Sequence, residues 1–266
     1  QAGFAIVGYG KLGGLELGYG SDLDLVFVHD SAGSKTETDG ERPLDNAVFF
    51  GRLTRRIIHV LTLSTPSGRM YEVDTRLRPS GGSGLLVSSL TALERYQRED
   101  AWTWEHQALL RSRAVAGDQT VRDAFEALRR RILVESVHRD SLKQDVSAMR
   151  ERMRSELSKG TARLFDLKQD PGGIADIEFI VQYLVLEHAR EHPELVVYSD
   201  NIRQLEALAR CTILSGDEAR QLSDTYRQYR AIVHRLSLAG EPALVPKAEV
   251  ADLAARIIAF WESVFE

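Results

Sequence analysis

Residues 8–28 read GYGKLGGLELGYGSDLDLVFV, a glycine-rich segment that leads into a run of apolar and β-branched side chains. Such a run predicts a β-strand, and Asp22 and Asp24 lie at its start. Alternate side chains of a strand point to the same face, roughly 6.5–7 Å apart along the chain. Two carboxylates held this close repel each other, and a hard divalent cation such as Mg²⁺ binds oxygen ligands from both. The stretch therefore predicts a metal site at Asp22 and Asp24.

The glycines before this strand fit two interpretations. Residues 8–13 (GYGKLG) match the G-x-G-x-x-G fingerprint of dinucleotide-binding folds. That fold needs a helix and a crossover before the next strand, roughly ten to twelve residues or more. Here the strand begins near Leu23, and further glycines interrupt the gap, each weakening a helix by about 1 kcal/mol. We favour the second interpretation, a turn at Gly13 and Gly14 whose backbone N–H groups approach phosphate oxygens, with the Ser21 hydroxyl nearby.

A third carboxylate is expected from a neighbouring strand, predicted over residues 70–77. The face shared by its alternate residues carries Glu72, Asp74, Arg76 and Arg78. Asp74 is the best candidate for the third ligand, and Glu72 replaces it if the register differs by one pair. The arginines suit bidentate phosphate binding, although a ladder of ion pairs explains the same pattern.

The character of the sequence changes along the chain. Residues 1–115 mix short strands with a helix predicted over 44–63, whereas residues 116–266 carry long helical patterns. The helices predicted in this second segment cover residues 119–135, 140–158, 174–190, 200–210, 216–238 and 248–265. Ser215 and Glu218 have the spacing of a capping box. We expect an α+β fold in two domains, a catalytic domain with a small mixed sheet over 1–115 and a helical bundle over 116–266.

Composition and charge limit the classes of function. The chain of 266 residues has a formal net charge of −5 and a pI near 5.9, which argues against a nucleic-acid partner. The arginine clusters at residues 52–56, 129–131 and 150–154 are predicted to be solvated helix faces. Apolar runs are too short for a membrane helix, so no membrane association is expected. The single cysteine, Cys211, excludes an internal disulfide and favours a reducing cytoplasm.

Several longer motifs are similar to those of known proteins. A glycine turn followed by Asp-x-Asp on a strand resembles the nucleotidyltransferase superfamily of DNA polymerase beta. A more specific resemblance is to glutamine synthetase adenylyltransferase, a bacterial nitrogen-control enzyme. It rests on residues 8–25 (GYGKLGGLELGYGSDLDL), 71–81 (YEVDTRLRPSG), 101–108 (AWTWEHQA) and 172–179 (GGIADIEF). The resemblance as a whole extends over about residues 3–240, nearly the whole chain.

This resemblance implies transfer of AMP from ATP to a tyrosine of glutamine synthetase, with release of pyrophosphate. It implies Mg²⁺, or Mn²⁺ in its place, held by Asp22, Asp24 and Asp74. The nucleotide contacts it implies are Gly13, Gly14, Ser21, Arg76 and Arg78. The PII nitrogen-signal protein and glutamine are the implied regulators of the full-length protein.

The family carries two related units, one that adds AMP and one that removes it by phosphorolysis. Residues 21–24 (SDLD) and 80–81 (SG) resemble the adding unit. The removing unit, with the same fold and the opposite reaction, is one alternative. A non-catalytic module that binds nucleotide or PII protein is another, although a degenerate copy is expected to lose its acidic ligands first.

Weaker candidates for contact with nucleotide or metal are Lys11, Glu72, Arg111, Arg113, Asp176 and Glu178. Arg111 and Arg113 are predicted at the end of a helix, within reach of phosphates. Asp176 and Glu178 follow glycines at a predicted helix start, where acids also interact favourably with the helix dipole. The histidines His59, His106 and His234 lack ligand-like spacing, so no zinc site is predicted.

Overall fold

A computed structural model of the chain describes residues 2–31, 36–137 and 139–266. It consists of two compact units, Gln1–Ser136 and Val137–Glu266. The division falls after Ser136, whereas the sequence patterns placed it after residue 115. The reason is that the strand Arg113–Gly117 pairs with the first strand of the chain, and the helix that follows packs on it.

The first unit is built on a mixed β-sheet. Its strands are β1 (Phe4–Gly8), β2 (Leu23–His29), β3 (Ser64–Thr65), β4 (Gly68–Arg69), β5 (Val73–Asp74), β6 (Val87–Ser89) and β7 (Arg113–Gly117). β1 lies between β2 and β7 and is antiparallel to both. β2 pairs in parallel with β5 at its start and with β6 at its end, while β3 and β4 form a separate hairpin. The α+β fold with a small mixed sheet is therefore confirmed.

The helices of the first unit determine which face of β2 is free for a site. They are α1 (Gly10–Gly13), α2 (Asn46–Leu61), α3 (Leu90–Glu99), α4 (Thr103–Leu110) and α5 (Gln119–Glu135). Asp45 caps the start of α2, because its carboxylate accepts hydrogen bonds from the N–H groups of Ala47 and Val48. Phe50 of α2 is buried in one cluster with Leu23, Leu25 and Phe27. Because side chains alternate along a strand, Asp24 lies on the opposite face from this cluster.

The second unit is mainly helical. Its helices are α6 (Arg139–Leu157), α7 (Ile174–His188), α8 (Asn201–Arg210), α9 (Gly216–Leu238) and α10 (Lys247–Phe265), and its short strands are β8 (Leu164–Asp166) and β9 (Leu244–Pro246). The capping box is confirmed, since the Ser215 hydroxyl accepts from the Glu218 N–H at 3.2 Å and the Glu218 carboxylate accepts from the Ser215 N–H at 2.7 Å. Within the part of the chain that the structure describes, none of the helices is both long and apolar enough to cross a membrane.

Two arginines from the clusters predicted to be solvated are instead buried. Arg129 is 1% exposed and Arg150 is fully buried. Arg129 donates to the carbonyl oxygens of Leu109, at 3.1 Å, and of Leu110, at the C-terminal end of α4. Burial lowers the pKa of Arg129 to about 10. Carbonyls at a helix end lack intrahelical partners, so this buried cation stabilises the end of α4.

Candidate metal and nucleotide site

Three carboxylates converge at the start of β2. One oxygen from each of Asp22, Asp24 and Asp74 lies within 4.8 Å of the other two. The backbone explains the convergence, because Asp24 and Asp74 are paired residues of the parallel strands β2 and β5. Asp22 precedes β2 by one residue and is exposed. The three predicted aspartates, Asp22, Asp24 and Asp74, therefore lie together in one cluster.

The electrostatics of Asp24 fit a cation-binding role. Its pKa is raised from 3.8 to about 6, first by burial and then by the nearby charges of Asp22 and Asp74. Ionisation of this carboxylate is costly, so a cation beside it would stabilise the ionised form. The donor set consists of carboxylate oxygens, which suit Mg²⁺ or Mn²⁺ better than soft metals.

The apparent affinity for Mg²⁺ is expected to depend on pH, because Asp24 must lose its proton to bind the ion. Below about pH 6 the proton competes, so the affinity should rise roughly tenfold per pH unit and level off above about pH 7. In the absence of metal, the raised pKa of Asp24 makes the free energy of unfolding fall as the pH rises from about 4 to about 6. Calorimetric titration with Mg²⁺ at about pH 5, 6, 7 and 8 measures the first effect. Equal affinities across this range would contradict the assignment of Asp24 as a ligand.

Asp74 is paired with Arg76. Both carboxylate oxygens of Asp74 accept hydrogen bonds from the guanidinium of Arg76, and one accepts from the Arg76 backbone N–H at 2.8 Å. This pairing lowers the pKa of Asp74. The backbone hydrogen bond also closes a turn, which is why β5 is only two residues long instead of continuing to residue 77. The Arg76 side chain is 81% exposed, so it is accessible beside the acidic cluster.

The glycine turn lies directly against Asp24. The Tyr9 N–H donates to the backbone oxygen of Asp24 at 2.9 Å. Gly10 has a φ of 53°, and a Cβ atom at this position would lie 2.4 Å from Oδ2 of Asp24. Lys11 is exposed, and its charge lowers the pKa of Asp24. Gly10 is therefore part of the site, although only Gly13 and Gly14 of this segment were predicted to contact the nucleotide, because the periodicity of a strand does not reveal a close approach to Asp24.

Replacing Gly10 with alanine is expected to displace the Asp24 carboxylate. The substitution is strained twice, by the left-handed backbone and by the contact with Asp24. We expect a loss of about 1–2 kcal/mol in the free energy of unfolding and a roughly tenfold or greater loss of Mg²⁺ affinity. Gly51→Ala in α2 is the matched control, because its Cβ meets nothing within 4 Å and alanine favours a helix. Chemical denaturation and Mg²⁺ titration compare the two, and equal effects would contradict the role of Gly10.

The residues predicted to contact phosphate through the turn are already engaged with neighbouring groups. The N–H groups of Gly13 and Gly14 donate to the carbonyls of Tyr9 and Gly10 at 3.0 and 2.9 Å. The Ser21 hydroxyl accepts from the Gly18 N–H at 3.3 Å. A Cβ atom at Gly13 would lie 2.1 Å from the backbone oxygen of Arg111, so close packing explains this glycine.

Arg111 and Arg113 both bind the segment around α1. Arg111 forms an ion pair with Glu16 at 2.6 Å, and both side chains are largely buried. Arg113 donates to the backbone oxygen of Leu12 at 3.4 Å. Arg111 follows α4 and Arg113 begins β7, so the predicted helix ends before either of them. These contacts position the glycine turn against the sheet.

Arg78 and Glu72 have partners outside the acidic cluster. The Arg78 guanidinium donates to the carbonyls of Thr75, Gly82 and Gly84, at distances of 2.7 to 3.2 Å. It therefore holds the loop from residue 75 to 84 together. The Glu72 carboxylate pairs with Arg69 at 3.3 Å and is exposed. The register thus brings Asp74, and not Glu72, to the cluster.

Asp176 and Glu178 belong to the second unit. Asp176 accepts from Nε of Arg150 at 2.6 Å and from the Gly172 N–H at 2.7 Å. Glu178 accepts from the Tyr226 hydroxyl at 3.0 Å. These contacts give both acids a structural role within the helical unit.

A mixed sheet, a glycine turn, an Asp-x-Asp pair and a third aspartate on the adjacent parallel strand define a nucleotidyltransferase-like α+β fold. Residues 1–128 match the family described as glutamate-ammonia ligase adenylyltransferase. The matched part of the chain, residues 1–128, belongs to this family. Residues 140–243, in the helical unit, match the family described as GlnD PII-uridylyltransferase.

Curated relatives extend this likeness over the whole chain. The chain is 57% identical over 266 residues to the bifunctional glutamine synthetase adenylyltransferase/adenylyl-removing enzyme of Thioalkalivibrio sulfidiphilus, covering 100% of the chain and 27% of that protein. The protein of the same name from Pseudomonas aeruginosa is 50% identical over 273 residues, covering 98% of the chain and 28% of that protein. The chain therefore spans little more than a quarter of the length of these relatives.

Proposed function

We propose that the chain is an AMP-adding unit, which transfers AMP from ATP to a tyrosine hydroxyl of glutamine synthetase and releases pyrophosphate. The convergence of Asp22, Asp24 and Asp74 within 4.8 Å is the observation that carries the proposal. It supports a divalent cation, Mg²⁺ or Mn²⁺, and ATP as the nucleotide substrate. The lone cysteine supports a cytoplasmic location.

The chemistry divides among groups that the first unit holds in place. Asp22, Asp24 and Asp74 would hold the cation. When bound, the cation neutralises phosphate charge and lowers the pKa of an attacking hydroxyl, about 10 for a free tyrosine. We assign a phosphate contact to Lys11, which is exposed and whose charge lowers the pKa of Asp24.

The remaining nucleotide contacts separate into direct and supporting roles. Arg76 is exposed beside the cluster, and its planar guanidinium suits phosphate oxygens. The Ser21 hydroxyl, next to Asp22, is proposed as a further contact. Arg78, Gly13 and Gly14 support the site by fixing the backbone of the loop and of the turn. Positioning of this kind supplies much of the rate in phosphoryl-type transfers.

The direction of the reaction rests on likeness and not on geometry. The relatives carry both activities in their name, and the chain spans only part of their length. The motifs at residues 21–24 and 80–81 support the adding unit. The removing unit stays the second candidate, because the same acidic cluster would serve transfer of AMP from tyrosine to phosphate, with release of ADP, equally well.

The two directions are separated by paired assays. Label from α-labelled ATP is expected to appear on purified, unmodified glutamine synthetase in the presence of Mg²⁺. Release of ADP from AMP-modified glutamine synthetase with phosphate, and no labelling in the first assay, would replace the adding assignment by the removing one. Nucleotide binding with neither activity would favour a non-catalytic regulatory module.

We propose the PII nitrogen-signal protein and glutamine as regulators of the longer protein. The match of residues 140–243 to a family whose description refers to PII supports this assignment. The helical unit is the part of the chain to which it applies.

A further inference from the structure

Three potential metal ligands of different chemistry meet in the second unit. His192 precedes the 3-10 helix Pro193–Val196, Glu194 lies within that helix, and Cys211 follows α8. One ligand atom from each of the three lies within 4.8 Å of the other two. They are an imidazole nitrogen, a carboxylate oxygen and a thiol sulfur, so the group differs in kind from the all-carboxylate cluster at β2.

Two of the separations between these atoms are within a few tenths of an ångström of the edges of a metal tetrahedron, and the third is below 4.8 Å. Sγ of Cys211 lies 3.2 Å from Oε1 of Glu194, and Nδ1 of His192 lies 3.6 Å from the same oxygen. Zinc bonds of about 2.3 Å to sulfur and about 2.0–2.1 Å to nitrogen or oxygen, at tetrahedral angles, place neighbouring ligand atoms about 3.4–3.6 Å apart. Small side-chain adjustments are therefore enough to bring the three atoms around one ion.

The backbone on both sides of this group is fixed by hydrogen bonds and packing. The Leu195 N–H donates to the His192 carbonyl at 3.0 Å, and the Cys211 N–H donates to the Ala207 carbonyl at 3.0 Å. Leu195 and Leu208 are fully buried, which anchors the 3-10 helix and α8. The backbone that carries the ligands does not need to be ordered by the ion, so only the side chains lose conformational entropy on binding.

Solvent can reach the group. The side chains of His192 and Glu194 are 36% and 60% exposed, and Cys211 is partly exposed. An ion can enter directly, and a water molecule can complete a fourth position. In the absence of metal the Cys211 thiol donates its hydrogen bond to Glu194, and metal binding replaces that proton.

We propose that His192, Glu194 and Cys211 form a second metal site, which binds Zn²⁺ or a similar borderline-soft divalent cation and links the 3-10 helix to α8. Nitrogen and sulfur ligands select such an ion over Mg²⁺. The group lies in the second unit, and its test does not depend on AMP transfer.

Cobalt is the sharpest probe, because thiolate ligation to Co²⁺ gives a charge-transfer absorption band in the near ultraviolet. Cys211 is the only cysteine of the chain, so a thiolate band reports this site alone. The titration uses the reduced Asp24→Asn variant, which removes a ligand of the carboxylate cluster. We expect one equivalent of Co²⁺ to produce the band, and Zn²⁺ to abolish it by replacement. Co²⁺ binding without a thiolate band would overturn the proposal.

Variants identify the other ligands. Cys211→Ser is expected to abolish the band, and His192→Gln to lower the Co²⁺ affinity at least tenfold. His59→Gln, on α2 in the first unit, is the matched control and should behave as the parent. A readout on the unmutated chain is alkylation of Cys211, which Zn²⁺ should slow at least tenfold and Mg²⁺ should not. Equal alkylation rates with and without Zn²⁺ would exclude thiolate ligation.

Discussion

Asp24→Asn is expected to lower AMP transfer to glutamine synthetase by at least about a thousandfold, equivalent to about 4 kcal/mol of transition-state stabilisation. Asp24 is partly buried, and its pKa of about 6 reflects first this burial and then the two further carboxylates nearby. An amide of the same shape removes the negative charge that a divalent ion needs but leaves the packing nearly intact. Asp22→Asn is expected to have a similar effect on turnover.

The same variant is expected to be at least as stable as the parent when metal is absent. Removing a carboxylate with a raised pKa relieves repulsion at neutral pH, so the melting temperature should rise or stay unchanged. Glu99→Gln, an exposed residue at the end of α3, is the matched control and should keep full activity. A folded Asp24→Asn variant that still transfers AMP at the parent rate would contradict the catalytic assignment.

Arg150→Met is expected to destabilise the helical unit by about 3–5 kcal/mol. Arg150 and Asp176 are almost completely buried and form an ion pair of 2.6 Å. Arg150 also donates to the backbone oxygen of Gln169 at 2.8 Å. Removing the cation leaves the Asp176 carboxylate charged in a low-dielectric interior, where the cost is large because no water solvates it.

Two further variants separate this charge effect from lost packing. Arg150→Met combined with Asp176→Asn should recover much of the lost stability, because no buried charge is left without a partner. Arg152→Met, two residues along α6 and exposed, should change stability by no more than about 0.5 kcal/mol. Denaturant unfolding followed by amide exchange in α6 and α7 measures all three. A loss in the double variant as large as in Arg150→Met would show that packing, and not charge, dominates.

The part of the site set by local periodicity could be predicted from the sequence. Alternation of side chains in an extended segment predicts that Asp22 and Asp24 lie near one another, and a neighbouring strand supplies Asp74. The choice between Glu72 and Asp74 depends on strand register, which the parallel pairing of Asp24 with Asp74 decides. Periodicity alone contains no information on that pairing.

Contacts between residues distant in sequence could not be predicted. The Glu16–Arg111 pair joins residues 95 positions apart and gives Arg111 a partner beside the glycine turn, while its contact with phosphate stays a prediction. The contacts of Asp176 with Arg150 likewise depend on how α6 and α7 pack. The His192, Glu194 and Cys211 group was missed for the same reason, since the cysteine approaches only through the packing of α8.

The spacing of apolar residues along α6 indicated that Arg150 is buried, but the high arginine content of the segment favoured the opposite prediction. Leu142, Val146 and Arg150 follow one another at intervals of four, so Arg150 lies on the apolar face of α6. The arginine-rich segment nevertheless indicated a solvated face. Arg129 shows the same effect, one turn after the buried Phe125 of α5.

Titration with Mn²⁺, followed by the electron paramagnetic resonance signal of the free ion, tests most directly whether the three aspartates hold a divalent cation. The parent chain and Glu99→Gln are expected to bind Mn²⁺ with the same affinity. Asp22→Asn, Asp24→Asn and Asp74→Asn should each lower that affinity by roughly tenfold or more, about 1.4 kcal/mol or more. Unchanged Mn²⁺ affinity in all three folded variants would contradict a metal site at the start of β2.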